Sequence, residues 1–215
     1  MPLSDPAQDR LRLTQLLSPS FPIGTFAHSQ GLETAIAEGL VDNAASLQDW
    51  ISQVLSHGSG RMDAVFVALT RQNGLALDDL TDLFHALTAS AERAQEAFEL
   101  GQGFTALQCA IGDSQPPLPY ALALGLATRR LSLPASEILG LFLQGLASQL
   151  ISVAVRFMPM GQMQGQQILA ALTPQIALIA AGLATATTDD LYTFTPGADM
   201  VSMRHETQDV RIFRS

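Results

Sequence analysis

Ser46-Leu47-Gln48-Asp49-Trp50-Ile51-Ser52-Gln53-Val54-Leu55-Ser56-His57 is the stretch that decides the fold. Leu47, Trp50, Ile51, Val54 and Leu55 recur at i, i+3, i+4, i+7 and i+8, which makes a single apolar stripe on an α-helix. Ser46 is a good N-cap, and Asp49 puts a negative charge in the first turn, at the positive end of the helix dipole. Gly58-Ser59-Gly60 is then expected to stop the helix.

The same period continues outward. Arg61 to Gln72 carries Val65, Phe66 and Leu69 and ends at Asn73-Gly74. Leu77 to Thr88 sets Leu80, Leu83, Phe84 and Leu87 on one side, and Glu92 to Ala110 aligns Leu100, Phe104 and Leu107. Pro116-Pro117-Leu118-Pro119 makes a rigid corner rather than a linker, because apolar helical sequence resumes at once with Tyr120 to Arg130. A long helix follows from Pro134, and two more are expected on either side of Thr173-Pro174. No alternating strand of useful length occurs. From Thr188 to Ser215 the period fades, and an extended tail is expected. The sequence therefore predicts an all-α, single-domain helical bundle over residues 1–215, with residues 188–215 as a docking tail.

Composition narrows the function. Of the 215 residues, 47% are hydrophobic and only 14% charged, so part of the apolar surface is expected to meet another chain. The net charge of −9 argues against nucleic acid, which needs clustered cations. All basic residues are Arg. A chain without Lys has neither a P-loop lysine nor a Schiff-base lysine, so any nucleotide hydrolysis falls to a partner. The lone Cys109 fits a reducing compartment, and the N-terminal residues lack the pattern of a signal peptide, so cytoplasm is the expected location. Ile138 to Val155 approaches the roughly 20 apolar residues of a membrane span. Gln144, Ser148 and Gln149 interrupt it and Arg156 follows, which suits the central helix of a bundle better.

Few residues suggest catalysis or a metal. Cys109, among Ala, Leu and Ile, reads as a small core residue, and His28, His57, His85 and His205 show no ligand spacing. Glu92, Glu96 and Glu99 share a helix face, read as solvated, with Arg93 placed to pair with Glu96. Small residues recur in the second half (Gly140, Gly145, Ala170, Ala171, Ala180, Gly182), consistent with tight packing or with a homodimer.

Two segments ask for more than structure. Ser18 to Glu33 is a polar and aromatic turn punctuated by Pro19, Pro22 and Gly24. Ser202 to Ser215 mixes charge with Val210, Ile212 and Phe213, as an ordered strap would.

These segments resemble the signatures of the UreF family of urease accessory proteins. Leu16-Leu17-Ser18-Pro19 through Phe21-Pro22-Ile23-Gly24, with His28-Ser29-Gln30-Gly31-Leu32-Glu33, is similar to the family's N-terminal motif. Ser152 to Arg156 and Met160 to Gln167 resemble its second block, and His205-Glu206-Thr207-Gln208 with Arg211 to Ser215 its C-terminal one.

The resemblance implies an all-helical homodimer without catalytic residues or a metal site of its own. Such proteins bind UreH (also called UreD), recruit the GTPase UreG and engage apo-urease, so that GTP hydrolysis drives nickel insertion. Nickel and GTP are then handled by the complex, and this chain binds no cofactor itself. The tail residues Arg204, His205, Glu206, Gln208, Arg211, Phe213 and Arg214 are the expected UreH contacts, with Arg211 foremost. His28, Ser29 and Glu33 are expected on a surface near UreG or the nickel route. The alternatives are a ligand-binding or enzymatic bundle with an apolar pocket, using Glu92, Glu96 or His85, and a membrane-associated protein built on Ile138 to Val155.

Overall fold

The computed structural model describes residues 5–215, so the first four positions of the expected 1–215 domain lie outside the described residues. The chain runs through α1 (Pro6–Leu16), α2 (Leu32–Ala37), α3 (Ala44–His57), α4 (Ser59–Gln72) and α5 (Leu77–Leu87). It continues through α6 (Ala91–Ala110), α7 (Tyr120–Thr128), α8 (Ala135–Phe157), α9 (Gln162–Leu183) and α10 (Pro196–His205). Short 3-10 turns occupy Thr25–Ala27 and Thr188–Asp190, and no strand occurs among the described residues. The fold is all-α, as the periodicity predicts.

Helix α3 buries Leu47, Ile51, Val54 and Leu55, the core of the predicted stripe. Its start lies earlier than expected. Asn43, not Ser46, is the N-cap: its side chain accepts from Ala45 N and Ser46 N, while Ser46 Oγ accepts from Asn43 N at 3.0 Å. Ser46 is the reciprocal half of a capping box, which brings Ala44 and Ala45 into the first turn. The expected three-residue stop is a single break at Gly58, after which α4 begins at Ser59.

Helix α8 runs through the core, burying Ile138, Leu139, Leu143, Ala147, Leu150 and Ala154 among others, and it packs on α9, α2, α4 and α3. Two described helices, α8 and α9, are long and apolar enough to cross a membrane by length and composition. Burial accounts for α8; α9 keeps a broad apolar face outside, including Met163 and Leu178. Helix α9 also corrects the two-helix expectation, because it passes unbroken through Pro174. Ala170, four residues earlier, and Pro174 both lie on the exposed side, where water can serve the carbonyl that the ring leaves unbonded.

The proline corner sits tightly on α6. A Cβ on Gly101 would stand 1.8 Å from the Leu118 carbonyl oxygen, so only glycine admits the corner there. Cys109, expected in the core, is exposed on the last turn of α6.

The tail differs most from expectation. Residues 196–205 form α10, opened by Pro196 at its first turn and buried through Val201, Ser202 and His205. With a serine and a histidine facing inward, the hydropathy period that would announce this helix is missing. The irregular parts are residues 191–195, which lead into α10, and 206–215, which form a strap.

Candidate functional site: the seat of the C-terminal strap

The segment before α2 is shaped by backbone geometry. Gln30 (φ 54°) and Gly31 (φ 80°) are consecutive left-handed residues, one tolerated at a cost and the other native to glycine. Gly31 is also crowded: a Cβ there would lie 2.9 Å from Ser202 N on α10. Just before this bend the amides of Ser29 and Gln30 converge on one point, where both donate to the Ser215 carbonyl at 2.6 and 3.1 Å. Ser29 Oγ donates to the same oxygen at 2.6 Å. Such a backbone nest captures an electron-rich oxygen.

The Ser215 hydroxyl lies deeper. It donates to Glu96 Oε2 at 2.6 Å, and His28 Nδ1 stands 3.0 Å from the same Oγ. With the hydroxyl's one proton given to Glu96, His28 Nδ1 must be the donor. His28 is buried and its pKa is lowered, chiefly by burial, against the raising pull of Glu96. The ring is accordingly neutral, with its proton on Nδ1.

Glu96 is a buried carboxylate with four partners. Arg93 reaches it at 2.7 Å and Gln30 Nε2 at 3.1 Å, besides Ser215 and, at 3.9 Å, His28. Burial alone would raise its pKa; the charge of Arg93, with lesser help from the Ser215 hydroxyl, carries it below the usual value instead. Arg93 also binds Asp63 on α4 at 3.0 Å, and the two carboxylates hold its pKa above the ordinary arginine value despite burial.

Glu33, at the start of α2, receives the strap itself. Its Oε1 accepts from Ile212 N at 2.9 Å and its Oε2 from Phe213 N at 3.0 Å. His205, with no exposed surface, stands between Glu33 (Nε2 to Oε2 3.4 Å) and Glu92 (Nδ1 to Oε2 2.6 Å). Arg211 closes on the other oxygen of Glu92 at 2.5 Å. Glu206 caps the start of α6 by accepting from Ala91 N and Glu92 N. Gln208 accepts from Thr34 Oγ1, Arg204 pairs with Glu38, and Arg214 pairs with Glu99. The Phe213 ring is buried 5.4 Å from Phe157, under the Arg156 guanidinium.

Thus His28, Ser29 and Glu33 meet Arg204, His205, Glu206, Gln208, Arg211, Phe213 and Arg214 in one constellation. Two expectations change. His28, Ser29 and Glu33 are not an open surface, since the strap covers them. The face bearing Glu92, Glu96 and Glu99 is not a solvated one, since it receives Arg211, Ser215 and Arg214. The expected Arg93–Glu96 pair is present. Sequence reasoning did not assign Asp63, Gln30 or the roles of the glutamates in the seat; the i, i+4, i+7 spacing of those glutamates was the available signal. His85 lies apart and exposed on α5.

The seat orders the last residues of the chain against α2 and α6. The UreF family model matches residues 41–173, more than half the chain. The chain is 48% identical over 206 residues to the urease accessory protein UreF of Cereibacter sphaeroides (strain ATCC 17029 / ATH 2.4.9), covering 95% of this chain and 98% of that protein. It is 46% identical over 211 residues to that of Paracoccus denitrificans, with 98% of each covered. For the protein so named from Rhizobium etli the identity is 42% over 218 residues, with 97% of each covered. Matching helices from α3 into α9, and relatives similar along nearly the whole length, put the chain in the UreF family.

Proposed function

We propose that this chain is a non-catalytic scaffold for urease maturation, a single domain that binds UreH/UreD, recruits the GTPase UreG and so supports GTP-dependent nickel insertion into apo-urease in the cytoplasm. The observation that carries this reading is the strap. Its backbone is tied down through Glu33 and the 29–30 nest, yet Val210 and Ile212 stay 77% and 73% exposed. On α10, Met200 and Met203 are likewise exposed. Apolar side chains held outward on a fixed backbone suit a partner, because the ordering entropy is spent before binding. Nickel is cargo here, and GTP belongs to the partner.

The homodimer is part of the same proposal. Met163 and Leu178, 79% and 75% exposed, sit with Ala170, Ala171, Ala177 and Ala181 on the outer face of α9, an apolar surface suited to a second copy.

Light scattering on the chain mixed with cognate UreH tests the scaffold. A discrete species near two copies of each, lost when residues 204–215 are removed, is the expected result. No complex with a UreH shown to be folded would overturn the reading.

A further inference from the structure

A cavity of about 550 Å³ opens between the 14–30 segment and helices α6, α7 and α8. Five rings line it: Phe21, Phe26, Phe84, Tyr120 and Phe142. Arg93 and Glu96 form its buried charged lining, with the half-buried Asp63 beside them, while Arg156 lies at the surface. Two carboxylates there share one guanidinium, and neighbouring His28 is neutral, so one negative charge lacks a cation. A buried carboxylate without a full counter-charge is costly, and aromatic rings attract cations.

We propose that this cavity binds an amphipathic cation, an apolar body carrying one ammonium or guanidinium group placed against Asp63. An anion would meet Asp63 and Glu96, and a neutral ligand of the same shape would leave the excess charge as it was. Burial pushes Asp63 up to about 6, with Arg93 pulling it down and Glu96 adding to the rise. From the α7 side Asp63 faces Tyr120, a hydroxyl that burial keeps protonated, so the negative excess stays on the carboxylates. The cation comes either as a free amine or as a Lys or Arg side chain on an apolar segment of a partner. This inference is independent of the docking of UreH.

Calorimetry on the full chain at pH 7.5 would compare hexylamine, hexan-1-ol and hexanoate, with a leucine-flanked lysine peptide as a separate arm. At least tenfold tighter binding of the amine or the peptide than of hexan-1-ol supports the site. Binding of the peptide alone assigns the cation to a partner segment; binding of hexylamine assigns it to a free amine. The preference should vanish in Asp63→Asn, fall several-fold in Phe142→Leu, and weaken about tenfold as pH drops from 7.5 to 5, because the cation must displace the Asp63 proton. Equal affinity for hexan-1-ol, or an amine preference unchanged in an Asp63→Asn chain with wild-type helicity, would overturn the proposal.

Discussion

The Ser215 hydroxyl donates to Glu96 Oε2 at 2.6 Å across 119 residues of sequence. That single bond joins the strap to a buried charge relay, Asp63–Arg93–Glu96, which braces α4 against α6. The strap is therefore held by the core as well as by its own turn chemistry.

Glu96→Gln keeps the shape of this junction and removes its charge. Breaking a buried ion pair from one side leaves the other charge uncompensated, at a cost of about 3 kcal/mol. Since Asp63 still pairs with Arg93, the expected loss in chemical denaturation is about 2 kcal/mol. Hydrogen exchange of residues 212–215 should accelerate beyond that of α8; equal protection in both chains would contradict the relay.

Glu33→Ala strands the Ile212 and Phe213 amides and one nitrogen of His205. Hydrogen bonds to a charged acceptor are worth about 1.5–3 kcal/mol each, and buried donors left unmade cost on a similar scale. The strap should detach while the helical circular dichroism stays near wild type. Glu33→Gln, which keeps an acceptor oxygen, should retain part of the protection.

Arg211→Ala separates structure from recognition. Arg211 is 40% exposed, so its pair with Glu92 adds no more than about 1 kcal/mol to the fold after solvent screening. If it serves the partner, affinity for UreH should fall at least tenfold with melting nearly unchanged. Equal binding by the variant would confine Arg211 to the strap.

Gly31→Ala should be damaging despite its small size. Its positive φ and the 2.9 Å approach of Ser202 N leave no place for a methyl group, and about 1–3 kcal/mol of strain is expected. Both α2 and α10 should lose exchange protection together.

Acid titration sets two buried groups against each other. His28 has a lowered pKa, so on acidification the unfolded chain takes up its proton first and stability falls. Asp63 is raised to about 6, so the folded chain takes up that proton first and stability rises as pH falls toward 5. Wild type should thus lose less stability between pH 7 and 5 than Asp63→Asn, which keeps the His28 loss without the Asp63 gain. A parallel pH profile for the two chains would refute this opposition. Below the usual carboxylate range Glu96, whose pKa is lowered, takes up its proton as well, and its contribution to the strap is lost.

The helices were legible where burial is apolar: Leu47, Ile51 and Leu55 announce α3 in any window. Helix α10 was not, because Ser202 and His205 are buried through polar contacts, to Ser90 and to Glu33 and Glu92. The members of the site were named by their motifs, but their meeting was not visible. Nothing in a period of 3.6 brings Glu33 to Phe213 or Ser29 to Ser215; that depends on the left-handed pair at Gln30 and Gly31 and on the path of α10. The acidic face of α6 was misjudged for a related reason, since a sequence window cannot see a strap arriving from more than a hundred residues away.

The distance between the two halves of the seat has a consequence for synthesis. A ribosome finishes Glu33 and Glu96 long before it makes Phe213 and Ser215, so the bundle can assemble around an empty seat. Any chain ending before residue 215 would carry the helices and lack the bond to Glu96. The seat is therefore filled only in chains translated as far as Ser215, and the bond to Glu96 is among the last contacts the fold can make.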